Sequence, residues 1–350
     1  MKIDIDIDID IIITIINISI NISINISINI SINISINISI SINISINISI
    51  TISIKIIIGS RGGDLALAQT RWVIEQLQPL IDTPFEIQII QTAGDQDTTS
   101  PLNAPASPGV FTRAIEAELL AGRIDAAVHS LKDLPLEQPL GLMIAAIPPR
   151  AHPGELLVVN PRAYDPNSRQ LPLPEGSRVG TSSPRRCAQL KAARGDLRVE
   201  NLRGNLPTRL GKIQSGAYDA AMVARAGWER LGKPFPSLVY IPLDAVVFVP
   251  APGQGALAIQ TRNEDPWANI YRSILHHPLT AACVNAERQL LAGFGGGCAL
   301  PMGALVRPIE GGYRLCGFYQ SQERPRWGQL DAADLESGVL KLYQILTSNP

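Results

Sequence analysis

Cysteine is scarce in this chain of 350 residues, which has only four: Cys187, Cys283, Cys298 and Cys316. They lie far apart and lack the Cys-x-x-Cys spacing of zinc sites. The sequence therefore argues against a disulfide scaffold and fits a reducing, cytoplasmic compartment. The four histidines form no ligand pattern either. We therefore expect no metal site.

Net charge is nearly absent as well, because 30 Lys and Arg residues face 31 Asp and Glu residues and give a formal net charge of −1. This balance favours neither a nucleic acid nor a membrane as partner. The chain does not open with a basic start, an apolar block and a small-residue cleavage site, so we expect no signal peptide. The Gly-x4-Gly-Lys-Ser/Thr pattern of a P-loop is also missing.

Residues 1–54 alternate Ile with Asp, and later Ile with Asn and Ser. Strict alternation is typical of a strand with one apolar face, but one strand of that length would far exceed the usual range. We interpret residues 1–54 as a low-complexity segment that is not part of the fold and that could pair with itself as cross-β structure.

Short apolar strands alternate with helices from Lys55 onward. This order predicts an α/β protein with mainly parallel sheets that are covered on both faces. Proline-rich stretches at 148–153 and 248–255 indicate two crossings between lobes. We predict that residues 55–150 and 248–268 form domain 1, that residues 151–247 form domain 2, and that residues 269–350 form a small α+β domain. Ligands of such sheets bind beyond the carboxyl ends of the strands.

One strand-to-helix turn is rich in donors for an anion. Val179 ends a strand, Ser183 is a good N-cap, and Pro184 fits the first helical position. Arg185 and Arg186 then fall in the first helical turn, where each positive charge opposes the helix dipole at a cost of about 0.3–1 kcal/mol. This placement favours a bound anion over a pair of solvated surface arginines.

Other turns repeat this pattern. Arg61 follows a strand in a glycine turn, before a helix that we expect Asp64 to cap, and Arg203 and Arg209 flank another turn. Arg230 ends a predicted helix from Ala226 to Leu231. Many separate arginines suit a ligand with several carboxylates better than a single phosphate.

Two further residues are candidates for chemistry. Asp133 closes a predicted strand in the segment His129–Pro135, where it could stabilise a cationic intermediate or serve as an ordinary turn cap or salt bridge. Cys298 follows three glycines in a loop, which suits a nucleophile or a covalent attachment point as well as a structural cysteine in a tight turn.

Together these segments resemble the porphobilinogen deaminase family over nearly the whole chain from Lys55. The resemblance rests on five motifs in the family's order, which in this chain read HSLKDLP, GTSSPRR, LRGNLPTRL, VPAPGQGALAI and GGGCALPMGA. It implies three domains, of which the first two are similar to periplasmic binding proteins. It also implies that Cys298 carries a dipyrromethane cofactor through a thioether.

The resemblance assigns roles to the other candidates. Asp133 matches the catalytic carboxylate that stabilises positive charge on pyrrole nitrogens. The implied ligands of the cofactor are Ser130, Lys132, Ser183, Arg185, Arg186, Arg203 and Arg230. The implied ligands of the substrate are Arg61, Thr181, Arg185, Arg209 and Gln254.

The implied activity is that of a hydroxymethylbilane synthase. Such an enzyme is a monomeric, cytoplasmic transferase that condenses four porphobilinogen units, with loss of ammonia, in the biosynthesis of haem and chlorophyll. Two other readings remain open: a non-catalytic polycarboxylate-binding protein, and a pseudoenzyme that holds the cofactor without elongating it.

The chain departs from the family pattern at three places. Ala104 and Pro108 replace two lysines of a loop at 101–111, which removes two positive charges, and Gly63-Asp64 replaces Ser-Pro. The usual Asp-Pro-Arg-Asp reads His152 to Glu155. We expect the loop changes to weaken carboxylate binding while Asp133 and Cys298 are retained.

Overall fold

The computed structural model describes residues 25–37, 41–53, 55–92, 112–168, 170–297, 300–321 and 324–348. The chain divides into two compact units, Met1–Ile56 and Ile57–Pro350. Among the described residues, no helix combines the length and the apolar character needed to cross a membrane.

The first unit contains an antiparallel hairpin. Its strands are β1 (Asn25–Asn37) and β2 (Ser41–Ser53), in a register that sets Asn25 opposite Ser53. The alternating sequence therefore does form strands, each of 13 residues. The regularity of the repeat explains why the pairing runs the full length of both strands without a bulge.

The second unit begins with a five-stranded sheet in the order β4-β3-β5-β12-β6. Its strands are β3 (Ile56–Ser60), β4 (Phe85–Ile89), β5 (Ala126–Ser130), β6 (Leu142–Ala146) and β12 (Leu257–Arg262). The helices that follow β3 and β4 in the chain are α1 (Asp64–Leu77) and α2 (Arg113–Leu120). Strand β12 comes from far along the chain, after the second sheet, so the chain leaves this sheet and returns to it, as the two predicted crossings require.

A second five-stranded sheet has the order β11-β7-β10-β8-β9. Its strands are β7 (Glu155–Val159), β8 (Arg178–Gly180), β9 (Arg198–Glu200), β10 (Ala220–Ala224) and β11 (Val239–Pro242). The helices are α3 (Pro184–Ala193), α4 (Leu206–Gln214) and α5 (Arg225–Arg230). Every residue of β7 is buried, because Leu157 and Val159 pack into a core on one face while Leu156 and Val158 pack on the other.

Both sheets are mixed, which corrects the expectation of mainly parallel sheets. Parallel pairs join β3 to β5, β8 to β9 and β8 to β10. Strand β12 runs antiparallel to β5 and β6, and β7 runs antiparallel to β10 and β11. The reason is that β12 and β7 enter their sheets from the crossing segments, opposite in direction to the strands of the βα units. The predicted fold class of two α/β lobes and a C-terminal α+β part is confirmed.

The C-terminal part is a three-stranded antiparallel sheet with helices. Its elements are α6 (Ala268–Leu275), α7 (Pro278–Gly293), β13 (Met302–Ile309), β14 (Gly312–Gln320), β15 (Pro325–Ala332) and α8 (Leu335–Thr347). Helix α7 contributes to two cores: Cys283 and Leu290 pack with β13 and α8, whereas Ala281 and Val284 pack with the residues around Leu131. The sheet membership is compatible with the three predicted domains, whose boundaries stay a prediction.

The two crossing segments lie side by side. The Ala151 amide donates to the Gly255 carbonyl at 3.2 Å. Gly255 has φ of +88°, and a Cβ added there would lie 2.5 Å from the Ala151 carbonyl oxygen. Only glycine allows this backbone conformation and this approach without strain.

Candidate active site

Asp133 ends a short 3-10 turn, Leu131–Asp133, that directly follows β5. Strand β5 is buried up to His129, and Leu131 is completely buried, so the turn is anchored to the core at both of these points. Asp133 itself is exposed. The fold thus presents one carboxylate to solvent at the carboxyl end of a central strand, where ligands of α/β sheets bind.

Lys132 is half-buried, and its Nζ donates to Oε1 of Gln254 at 3.4 Å. Burial lowers the pKa of Lys132; the negative charge of Asp133 opposes this, and the positive charges of Arg186 and Arg185 add to it. Lys132 of the first lobe therefore lies within electrostatic range of Asp133 and of the arginines of α3, which belong to the second lobe.

Ser130 and Gln254 both make internal hydrogen bonds. The buried Gln69 side chain pairs with Ser130, whose Oγ lies 2.9 Å from Nε2 of Gln69. Gln254 is fully buried, and its Nε2 donates to the Pro153 carbonyl at 2.8 Å. Gln254 therefore connects Lys132 to a crossing segment.

Arg185 and Arg186 share one buried carboxylate. Nη2 of Arg185 donates to Oε1 of Glu155 at 2.7 Å, and Nη2 of Arg186 donates to Oε2 at 2.8 Å. Arg185 also donates to the Val249 carbonyl, and Arg186 to the Met222 carbonyl. Burial alone would raise the pKa of Glu155, but the two guanidinium groups outweigh it and lower that pKa to about 2. Both predicted carboxylate binders thus already hold an internal carboxylate.

The predicted cap of α3 is confirmed, since Ser183 is its N-cap and accepts a hydrogen bond from the Arg186 amide. Oγ1 of the buried Thr181 accepts from the Ser183 amide at 3.2 Å. By contrast, the predicted cap of α1 is wrong. Gly63 occupies that position without a side-chain hydrogen bond, and Asp64 is the first helical residue, where its negative charge favours the helix dipole.

Arg209 and Arg230 differ from the α3 pair because they are half-buried without a carboxylate partner at hydrogen-bonding distance among the described residues. Nε of Arg209 donates to the Gly204 carbonyl at 2.7 Å, and Nη2 of Arg230 donates to the Gly255 carbonyl at 2.8 Å. Burial lowers the pKa of each to about 10. The charge of Arg186 also lowers that of Arg209, while Asp133 opposes the change, which places Arg209 near both. Arg209 lies within α4 and Arg203 precedes that helix, so the two arginines flank its start.

The remaining predicted residues lie in the segments that connect helices and strands. Arg203 is half-buried in the segment between β9 and α4. Arg61 follows β3 and lies near His129, whose pKa its charge helps to lower. Cys298 and the loop at 101–111 fall outside the described residues, so the loss of the loop lysines is not tested. The glycines before Cys298 are described, and Gly295, Gly296 and Gly297 all have positive φ.

Sequence reasoning missed a group of buried charges beside these residues. Nη1 of Arg150 donates to Glu287 of α7 at 2.6 Å, and the fully buried Glu287 also accepts from the Gly253 and Val306 amides. The neighbouring Arg288 donates to backbone carbonyls around Asp133. The available signal was the pair Glu287-Arg288 in a helix whose other side chains are uncharged. Among the described residues, no three His, Cys, Asp or Glu side chains come together as a metal ion would require.

Comparison with known proteins agrees with the motifs. A family model described as porphobilinogen deaminase, dipyromethane cofactor binding domain, matches residues 56–269. The porphobilinogen deaminase of Deinococcus radiodurans is 44% identical over 71% of this chain and 80% of its own length. The porphobilinogen deaminase of Thermus thermophilus is 43% identical over 73% and 82%, and that of Synechococcus elongatus is 40% identical over 77% and 85%.

Solved structures with a similar arrangement are more distant. The periplasmic VFT2 domain of Bordetella pertussis BvgS is 15% identical, with a TM-score of 0.38, over 67% of this chain and 91% of that one. An ancestral cationic amino acid solute-binding protein is 13% identical, with a TM-score of 0.37, over 63% and 88%.

Proposed function

Since this chain belongs to the porphobilinogen deaminase family and is a hydroxymethylbilane synthase of tetrapyrrole biosynthesis, we propose how its residues divide the work. The enzyme acts as a transferase: it joins four porphobilinogen units, each with loss of ammonia, into linear hydroxymethylbilane. It works in the cytoplasm as a monomer and supplies the pathways to haem and chlorophyll.

The observation that carries the proposal is the position of Asp133. It is the exposed carboxylate at the end of β5, and it lies within electrostatic range of Lys132 and of Arg209 from the second lobe. Loss of ammonia from a pyrrole side chain builds positive charge on the ring nitrogen. A fixed carboxylate opposes that charge most strongly once a bound ring shields it from water. Asp133 therefore stabilises the cationic ring.

Arg209 and Arg230 bind the acetate and propionate groups of the substrate and the growing chain. Their lowered pKa values reflect burial that no carboxylate partner fully offsets. An acidic ligand supplies the missing negative charge and forms strong charge-assisted hydrogen bonds with guanidinium groups. Arg61 and Arg203 contribute further positive charge around the same cleft.

The same donor set fits a dipyrromethane cofactor, which carries acetate and propionate groups of its own. Cys298 holds this group covalently and directly follows three glycines with positive φ. When bound, the cofactor supplies the acceptor end onto which the product is built. Ser130, Lys132, Ser183 and Arg203 lie among its ligands, with Arg185, Arg186 and Arg230. Thr181 and Gln254 support the substrate side.

The experiment is turnover of Asp133→Asn with porphobilinogen, combined with the intact mass of the purified protein. Removal of one electrostatic contact in such a site costs about 10²–10³-fold in turnover. Cys298→Ser should lack the mass of a dipyrrole that the parent protein carries. Glu137→Gln is the matched control, because Glu137 is an exposed carboxylate four residues along the chain.

The outcomes separate the competing readings. Parent protein without added mass would favour a non-catalytic binding protein. Added mass without a ladder of heavier adducts on incubation with porphobilinogen would indicate a pseudoenzyme. Turnover of Asp133→Asn within threefold of the parent would remove Asp133 from the mechanism.

A further inference from the structure

Arg288 of α7 contacts the turn that carries Asp133. Its Nη1 donates to the carbonyls of Leu131 and Leu134 at 3.2 and 3.0 Å, and its Nη2 donates to those of Pro135 and Leu136 at 2.7 and 3.3 Å. One guanidinium group thus spans the backbone on both sides of Lys132 and Asp133.

The turn has little internal support of its own. Its three residues form a single 3-10 turn closed by the Leu134 amide, which donates to the Leu131 carbonyl at 3.2 Å. The last carbonyls of a helical segment lack partners within the segment. Hydrogen bonds from a charged donor are stronger than bonds between neutral groups. Arg288 therefore supports the carbonyl side of the turn, which the buried Leu131 and Leu134 anchor from the other side.

The same segment touches the glycine loop that precedes Cys298. A Cβ added to Gly296 would lie 3.1 Å from Cδ1 of Leu136, which is tighter than ordinary contact. Helix α7 ends at Gly293, five residues after Arg288 and two before the first of the three glycines. Arg288 therefore stands at the junction between the Asp133 turn and the start of the Cys298 loop.

We propose that Arg288 is a positioning residue that fixes the Asp133 carboxylate relative to the glycines at 295–297. This inference rests on the proposed role of Asp133. An arginine is needed because its planar group offers five donors in a fixed fork, whereas lysine is a point charge that cannot span four carbonyls. A displacement of about 1 Å at a reacting centre can cost about 10²-fold in rate.

The test compares Arg288→Gln and Arg288→Lys with the parent in steady-state kinetics. We expect kcat to fall about 10–100-fold in both variants, with KM changed less than threefold. In the double variant with Asp133→Asn, Arg288→Gln should lower turnover no further, because a residue that acts only through Asp133 has nothing left to position. Independent, multiplicative losses would overturn the proposal, as would turnover of Arg288→Gln within threefold of the parent.

Hydrogen exchange gives a readout that does not depend on activity. The amides of residues 131–137 should exchange faster in Arg288→Gln than in the parent, because the hydrogen bonds from the guanidinium group to that backbone are lost. Arg194 provides a matched control, since its guanidinium also donates to several carbonyls of one loop, those of Leu171, Leu173 and Pro174. Arg194→Gln should leave exchange at 131–137 and kcat unchanged. Unchanged exchange in Arg288→Gln would refute the role of these hydrogen bonds, whereas normal turnover of Asp133→Asn would refute only the role of Asp133.

Discussion

Replacement of Glu155 by Gln tests whether this carboxylate holds the second lobe together. Glu155 is fully buried and binds Arg185 and Arg186, which are buried as well. The substitution keeps the size of the side chain but leaves two buried guanidinium groups without their counter-charge. Removal of one partner from a buried ion pair costs about 3–5 kcal/mol, mostly through the uncompensated charge that remains.

The pKa of Glu155 gives a second estimate of how much this carboxylate stabilises the fold. It is lowered from an ordinary value of 4.5 to about 2. At about 1.4 kcal/mol per pH unit, this difference corresponds to about 3 kcal/mol of folding free energy. Because the folded-state pKa is the lower one, this stability is fully present above pH 4.5 and is lost as the pH falls towards 2.

The assay is urea unfolding at pH 7 and at acid pH, followed by circular dichroism. Glu155→Gln should lose about 3–5 kcal/mol at pH 7 and show a weaker loss of stability below pH 4.5 than the parent. Asp331→Asn is the control, because its pair with Arg314 is exposed to solvent and contributes little to stability. A loss at pH 7 no larger than that of the control would refute the reasoning.

Two other substitutions test buried features near the cleft. Burial lowers the pKa of His129 from 6.5 to about 4; the charge of Arg61 adds to this effect and the hydrogen bond with Gln260 opposes it. As the pH falls, the histidine therefore binds a proton in the unfolded chain before it does so in the folded protein. The parent should lose about 2 kcal/mol of stability between pH 7 and 5. His129→Gln should lose less over that interval, and an equal loss in urea unfolding would contradict the assignment. Gly255→Ala should destabilise the protein by more than Gly311→Ala. Both glycines have positive φ, but the new Cβ lies 2.5 Å from a carbonyl oxygen at Gly255 and in open space at Gly311. Equal urea midpoints for the two variants would show that the crossing segments move apart at little cost in stability.

Local patterns predicted the βα units well. The N-cap Ser183 and the proline after it specify the start of α3, because the required donors and acceptors lie within four residues. The direction of β12 and β7 could not be read in the same way. It depends on which strands they join after a crossing, and a crossing is recognisable in the sequence only as a proline-rich stretch.

The sequence predicted which residue types form the candidate site, but it did not predict which groups those side chains contact. A pair of arginines at a helix N-terminus indicates an anion, but nothing local reveals that the anion is Glu155, which lies 30 residues earlier in the chain. The contacts of Arg288 could not be predicted for a related reason. Its partners are backbone carbonyls, which every residue has, so no residue type marks them in the sequence. The adjacent charges of Glu287 and Arg288 in a helix without other charged residues indicate that each has a partner, but not which residue the partner is.

The separation of charges between the lobes suits a ligand that carries both signs. Arg185 and Arg186 share the charge of Glu155 inside the second lobe, whereas Arg209 and Arg230 have only backbone carbonyls as described hydrogen-bond partners. Arg209 and Arg230 therefore have more positive charge to offer to acidic substituents than Arg185 and Arg186 have. Asp133 projects from the first lobe. In the function that we propose, a ring between the lobes would place its carboxylates on the arginines and its nitrogen towards the aspartate. If Asp133 were held in a buried ion pair, as Glu155 is, its charge would already be neutralised and it could not oppose a developing cation.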